Sequence, residues 1–302
     1  MAFAKRIFLF LVLNFLVITM ISAVLHLLNI RPYLQANGLD YNSLLIFCLI
    51  WGMAGAFISL ALSRITAKWM MGVQIVDPKN ADGEARELLQ TIYELADRAQ
   101  IPRPQVGIFR SNEVNAFATG PTRSRSLVAV SSGLLARLKP HEVRAVLGHE
   151  ITHIANGDMV TMALLQGVVN AFVMFLARIL AYAVSGLGRS RENNSGSSVM
   201  SYMLFTYLFE VIFMILGSLV VAAYSRFREF RADAGGARLA GKESMIAALQ
   251  ALKSLQEIKD PKADNPAMAA FKISHPGKKG LLHLFATHPP LEVRIDRLKK
   301  NS

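Results

Sequence analysis

The chain has 302 residues, 53% of them hydrophobic and only 18% charged, with a mean hydropathy of +0.35. An average soluble protein carries about 25% charged residues, so this composition argues against a purely soluble domain and for a membrane protein. Net charge is +12, from 33 Lys and Arg against 21 Asp and Glu. Lys and Arg gathered at the cytoplasmic ends of membrane segments account for that excess, and with no RNA- or DNA-binding motif beside it no nucleic-acid partner is expected. Cys48 is the only cysteine, which excludes an intrachain disulfide and a cysteine-based zinc cluster.

In chain order, Ile7 to Leu28 contains no Asp, Glu, Lys or Arg. At ~1.5 Å per residue it is roughly 33 Å long, enough for a hydrocarbon core. Its length, and the second apolar run that follows, favour a retained anchor over a cleaved signal peptide. After a short loop from Arg31, Tyr41 to Ser63 is the second uncharged run. Arg64 and Lys68 are expected to open a soluble stretch reaching Asp158. In it, Gly72 to Pro78 reads as a short strand into a turn. Glu84 to Gln100 has helical spacing, with Leu88, Leu89, Ile92, Leu95 and Ala96 on one side. Gln105 to Phe109, Val114 to Thr119 and Ser126 to Val130 read as strands leading into a helix over Lys139 to Asp158.

That helix organises the chain. Pro140 suits its first turn, Glu142 the positive helix end, and Asn156-Gly157 its stop. Within it stands His149-Glu150-Ile151-Thr152-His153. Residues four apart share a helix face, so both imidazoles can reach one metal while Glu150 points beside them toward a water. Two ligands and a general base in this spacing is the zinc-protease arrangement.

Downstream, Met159 to Leu187 is apolar apart from Arg178, and Met200 to Ser225 is apolar apart from Glu210; the polar loop Arg189 to Ser198 joins them. The two runs read as a transmembrane hairpin. Antiparallel packing puts Arg178 and Glu210 at similar depth, and they are expected to pair. Ser254 to Gly280 reads as a polar loop and Pro289-Pro290 as the start of a last short helix. Lys5, Arg6, Arg64, Lys68, Arg226, Arg228 and Arg231 on one side, against Arg31, Arg189 and Arg191 on the other, place both termini and the HExxH region in the cytoplasm.

A catalytic zinc needs a third protein ligand. The metzincin pattern would need Gly at 156 and His at 159, where this chain has Asn156 and Met159. A downstream carboxylate is the other solution. Glu210 lies too deep in an apolar run and Glu192 in the far loop. Glu229 and Asp233 lie just after the fourth apolar run, four apart. Alone, Arg228 to Asp233 reads as a solvated helix start. Beside an HExxH it reads as a ligand, Glu229, with Asp233 accepting from the free nitrogen of a ligand histidine. The hairpin would then separate the two halves of the site in sequence, which holds the zinc near the membrane surface.

Asn115-Ala-Phe-Ala-Thr-Gly120, His149 to Asp158, Glu229-Phe-Arg-Ala-Asp233 and Thr287-His-Pro-Pro290 together resemble the HtpX-type membrane zinc metalloproteases of bacteria, relatives of the CAAX prenyl proteases. The resemblance covers nearly the whole chain; Arg231 stands where His is expected. It implies one Zn2+ per chain, held by His149, His153 and Glu229, with Glu150 as catalyst. It also implies an inner-membrane endopeptidase acting on misfolded or damaged membrane proteins in quality control and stress response.

The expected fold is a mainly α membrane protein with a small β-sheet, four transmembrane helices and a cytoplasmic zincin-like (gluzincin) domain. Its parts are two N-terminal spans (1–63), a catalytic subdomain (64–158), a membrane hairpin (159–225) and a helical catalytic subdomain (226–302). His288 is the first candidate to steady the oxyanion and Arg294 the second; Asn115, Ala116, Phe117 and Ala118 could hold substrate as an edge strand, or serve as an ordinary core strand. Expected partners are membrane-protein substrates and the lipid bilayer, with a homo-oligomer or other quality-control proteases as further candidates. A CAAX-type prenyl-protein protease and a catalytically inactive membrane scaffold are the alternatives.

Overall fold

The computed structural model describes residues 40–187, 195–255 and 284–300. The expected first span, Ile7 to Leu28, lies outside the described residues, as do Arg189 to Asn194 of the joining loop and most of Ser254 to Gly280. The described chain is mainly helical with one small sheet, and three of its helices are long and apolar enough to cross a membrane. These are α1 (Tyr41–Met71), α5 (Asp158–Leu187) and α6 (Ser195–Ala240).

The chain divides into two compact units. Among the described residues, the first draws on 40–58, 161–187 and 195–221. Here α1 packs on α5 through small residues: a Cβ on Gly52 would stand 2.6 Å from the Ala171 nitrogen and 2.9 Å from the Gly167 oxygen. Tyr41, Cys48, Phe175 and Ile179 form the buried cluster beside that contact. On α6, Gly217 meets Val169 and Val173 of α5. The outward faces stay apolar, as lipid requires, with Phe47, Ile50, Trp51, Met203 and Leu204 all exposed. The two charges in these runs do pair: Arg178 Nη1 donates to Glu210 Oε1 at 2.7 Å and to the Met174 carbonyl at 3.0 Å. The paired register expected for the hairpin is the one observed.

Among the described residues, the second unit draws on 59–160, 222–255 and 284–300. Its sheet runs β1 (Gln74–Ile75), β2 (Gln105–Phe109), β4 (Leu127–Ser131), β3 (Ala116–Thr119). β2 pairs with β4 in parallel, and β1 and β3 pair antiparallel with β2 and β4 respectively. β3 is therefore an edge strand, and β4, every residue of it buried, is central. One face of the sheet carries the core. Leu88, Leu89, Ile92, Leu95 and Ala96 of α2 (Gly83–Arg98), all buried as the helical spacing predicts, pack there with Val106, Val128 and Val130. Helices α4 (Pro140–Asn156), α7 (Lys242–Ser254) and α8 (Leu291–Lys300) complete that core. The other face holds a smaller cluster of Ala67, Phe109, Phe117 and Ala129.

Strand and helix ends shift by a residue or more from the sequence reading, and three larger differences each have a local reason. α1 does not end at Ser63: Arg64 and Lys68 turn their side chains to Gln105, Ala67 is buried, and the helix runs on to Met71, where Gly72 at φ +61° ends it. Ser132–Arg137, between the last expected strand and the HExxH helix, forms a helix (α3) because the Ser131 hydroxyl accepts from the Leu134 amide and caps it. α6 does not break after Ser225 but continues to Ala240.

Since each charge of the Arg178–Glu210 pair would be left alone in an apolar environment by loss of the other, one change is worse than two. Arg178→Leu should reduce the yield of folded protein more than Arg178→Leu with Glu210→Leu, measured by size-exclusion recovery and thermal melting in detergent. A double variant equal to the sum of the singles would contradict the pairing.

Candidate metal centre

α4 builds one half of the site. Its N-terminus is closed by Pro140 in the first turn and by Glu142 Oε2 accepting from the Lys139 amide at 2.8 Å; Gly157, at φ 63° and ψ 40°, closes the other end. His149 and His153, 3% and 8% exposed, stand one turn apart, and their Nε2 atoms lie 3.1 Å from each other. Glu150 beside them is also buried.

α6 builds the other half. It can approach α4 this closely because it presents glycine. A Cβ on Gly236 would lie 3.0 Å from the His149 nitrogen, and one on Gly235 would lie 2.9 Å from Cβ of Thr152; Gly148 of α4 faces Gly236 in turn. The carboxylate of Glu229, fully buried, then reaches both histidines: Oε2 is 3.4 Å from His149 Nε2 and Oε1 is 3.3 Å from His153 Nε2. One ligand atom from each of the three residues lies within 4.8 Å of the other two.

Outer contacts fix the rings. His149 Nδ1 lies 3.0 Å from Asp233 Oδ1, and His153 Nδ1 lies 2.7 Å from Asp158 Oδ2. With both Nδ1 positions directed at carboxylates, the two Nε2 lone pairs face each other, which is repulsive unless a cation or a proton stands between them. Glu229 Oε1 is buried and makes no hydrogen bond. Two opposed lone pairs and an orphaned carboxylate oxygen fit a divalent metal of nitrogen and oxygen preference.

The carboxylates are themselves held. Arg294, 1% exposed, grips Asp233 with two parallel bonds, Nε to Oδ2 at 2.8 Å and Nη2 to Oδ1 at 2.6 Å. His288 Nδ1 lies 2.8 Å from Glu229 Oε2. So the structure brings His149, Glu150, His153, Glu229, Asp233, His288 and Arg294 together, with His288 and Arg294 engaged on the two carboxylates. Asn115, Ala116 and Phe117 are buried and Ala118 partly so; they lie on or just before edge strand β3, beside α4. Asp158 was assigned no role from the sequence. Its signal is the Gly-Asp step after the second histidine, where a left-handed glycine turns the chain back toward the ring. His141 stands apart, lining a cavity of about 650 Å³ with Lys242, Ser244 and Lys299.

Burial raises the Asp233 carboxyl, but the charge and hydrogen bonds of Arg294 outweigh it and hold it down to about 2. Burial likewise works against a charged His153, yet the Glu229 charge and the Asp158 hydrogen bond raise its pKa to about 9. His149 is raised in the same sense, against burial, by Asp233 and Glu229.

A buried site of two histidines on an HExxH helix and a glutamate from a second helix, in a chain with apolar helices long enough to cross a membrane, defines a membrane metallopeptidase. Residues 82–302 match Peptidase family M48. The chain is 48% identical over 299 residues to a protease HtpX homolog of Methylacidiphilum infernorum and 48% identical over 299 residues to protease HtpX of Chromohalobacter salexigens, covering 98% of both chains in each case. It is 49% identical over 295 residues to a protease HtpX homolog of Thiobacillus denitrificans, covering 98% of this chain and 99% of that one. Among solved structures it resembles S. mikatae Ste24p, with a TM-score of 0.59 at 18% identity, over 96% of this chain and 66% of that one. The chain therefore belongs to peptidase family M48, as an HtpX-type member.

Two outcomes follow from the geometry. Gly235→Ala should push α6 from α4, cost about 1–3 kcal/mol of stability by overpacking and weaken metal binding, read by metal titration and thermal melting. Because the raised His153 pKa leaves that ring protonated at neutral pH in the metal-free protein, metal must displace the proton. Metal uptake at pH 7.5 should release protons, and apparent affinity should fall by about tenfold per pH unit below that pKa, as calorimetry in buffers of different ionisation enthalpy would show.

Proposed function

We propose that this protein is a zinc endopeptidase of the bacterial inner membrane that cleaves misfolded or damaged membrane proteins at the cytoplasmic face. The observation that carries the reading is the convergence of buried His149, His153 and Glu229 donor atoms beside Glu150. The donor set, two imidazoles and a carboxylate with an open position, is the one a catalytic zinc takes. Bound there, Zn2+ would supply Lewis acidity, polarising the scissile carbonyl and lowering the pKa of water.

The chain's own residues do the rest. Glu150 takes a proton from the attacking water and returns it to the leaving amine. Asp233 and Asp158 keep each ligand ring oriented and each Nε2 available. Arg294 Nη1, buried without a hydrogen bond and 3.8 Å from Glu229 Oε2, is the donor assigned to a substrate oxygen, and His288, already on Glu229, is the second candidate. Edge strand β3 offers its outer edge to an extended substrate, so that main-chain pairing gives affinity without demanding a sequence. Such tolerance suits unfolded clients. The cytoplasmic assignment rests on the Lys and Arg beside the apolar segments.

The test is proteolysis of a destabilised model membrane protein reconstituted with the enzyme, alongside zinc analysis. Glu150→Ala should keep about one zinc per chain and lose cleavage by at least about 100-fold. Glu229→Ala should lose zinc, since two protein ligands remain. Metal loss in the first variant, or full metal in the second, would overturn the assignment. Faster cleavage of prenylated peptides than of the unfolded client would favour the CAAX-type alternative, and zinc without hydrolysis of either would favour a scaffold.

A further inference from the structure

Arg226 occupies the first turn of α6 after the apolar run, where a cation reads as an ordinary interfacial residue. Its side chain does something more specific. Nη1 donates to the Leu284 carbonyl at 2.7 Å and to the Ala286 carbonyl at 2.8 Å. Two residues beyond Ala286, His288 Nδ1 meets Glu229 Oε2 at 2.8 Å. Glu229 is itself three residues after Arg226, one turn along the same helix face. The contacts close a ring: Arg226 to the 284–286 backbone, along the chain to His288, and from His288 back to Glu229. Past the buried Pro289, α8 begins at Leu291 and delivers Arg294 to Asp233.

We infer that Arg226 is a positioning residue for the metal centre: by pinning Leu284 and Ala286 to α6 it sets His288 on Glu229 Oε2, which would leave Oε1 as the oxygen available to a metal. Three features carry this. The two carbonyls are bridged by one guanidinium nitrogen, which fixes the segment's path as a single contact cannot. Glu229 is fully buried, and while Oε2 is hydrogen-bonded to His288, Oε1 makes no hydrogen bond and has only Arg228 Nε at 3.6 Å and His153 Nε2 at 3.3 Å beside it, the asymmetry a one-oxygen ligand would need. And Arg226 contacts neither ligand histidine nor either carboxylate among its hydrogen bonds and ion pairs, so it acts through the segment it pins, in which His288 is the first residue to touch the site. The inference rests on the metal-site reading above and adds a residue that the HExxH and EFxAD motifs do not contain.

The experiment measures zinc affinity of the full-length protein in detergent by competition with a chromophoric chelator. It compares wild type with Arg226→Ala, Arg226→Lys, His288→Ala, the Arg226→Ala/His288→Ala double variant and, as a control, Arg231→Ala at an exposed position. Removing an outer contact of a metal ligand costs about 10- to 100-fold in affinity, and that is the expected loss for Arg226→Ala and His288→Ala. Arg226→Lys, whose ammonium can reach both carbonyls, should recover most of it. The double variant should be no weaker than His288→Ala alone, because the two residues act through one contact. Arg231→Ala should match wild type.

Wild-type affinity in Arg226→Ala or in His288→Ala overturns the inference, as does a double variant whose loss is the product of the two single losses. If Arg226→Ala does not accumulate as folded protein, Arg226→Lys and His288→Ala decide the matter: His288→Ala must bind weakly and Arg226→Lys nearly normally. Failure of the wild type to take up zinc at all would instead overturn the metal-site reading on which the inference stands.

Discussion

Helices α4 and α6 lie nearly backbone to backbone where Gly235 and Gly236 meet Thr152 and His149. Everything in the metal centre depends on that approach. A glutamate side chain is short, and Glu229 reaches both Nε2 atoms only because its helix has no side-chain layer between it and the ligand helix two turns further on. Glycine inside a helix costs about 1 kcal/mol relative to alanine, so an adjacent pair in mid-helix needs a compensating gain. Here the gain is contact area between two helices that share no loop and are brought together only by the fold.

That approach also concentrates charge. Glu150, Asp158, Glu229 and Asp233 are all buried, and among the described residues Arg294 is the only guanidinium that is equally so. Carboxylates in low dielectric must be paired or neutralised. Asp233 has a bidentate guanidinium, while Glu229 has its closest contacts with imidazoles and only longer ones with guanidinium nitrogens, Arg228 Nε at 3.6 Å and Arg294 Nη1 at 3.8 Å. The Glu229 charge and the Asp158 hydrogen bond thus outweigh burial and hold His153 at about 9. Charge balance is therefore met either by protons on the rings or by a dication between them. The same electrostatics that would bind metal make the metal-free site hold protons, and each state excludes the other.

Much of this was legible in the sequence because its determinants are local. HExxH fixes two ring positions by helix periodicity, Glu229 and Asp233 fix two carboxylates in the same way, and uninterrupted apolar length marks the spans. The Arg178–Glu210 pair was legible for a different reason: a charge in an apolar run is costly enough to demand a partner, and only one was at matching depth. What stayed hidden depends on tertiary geometry. The positions of His288 and Arg294 on carboxylates some sixty residues earlier in the chain, and the use of Arg226 on backbone carbonyls, follow from how the C-terminal segment returns, which no periodicity encodes. The continuation of α1 past Ser63 was obscured by Arg64 and Lys68. They read as the opening of a soluble stretch, yet the same helix carries both when they turn to one acceptor, Gln105.

The unbroken run of α6 through Ser225 has its own physical reason. A helix ending where the apolar segment ends would leave its last four carbonyls without intrahelical partners, at a depth where water is scarce. Running on keeps each of them bonded and shifts the helix from apolar on all sides to two-faced within one turn. Continuity has a second effect. Glu229, Asp233 and Gly236 stand at i, i+4 and i+7, one stripe of a single helix, so the face that carries the carboxylates is also the face that can touch α4. A break between Ser225 and Gly236 would free the rotation of Glu229 from the contact that places it. With none, the glycine contact alone sets the azimuth of Glu229, and His288 has only to settle which of its two oxygens turns inward.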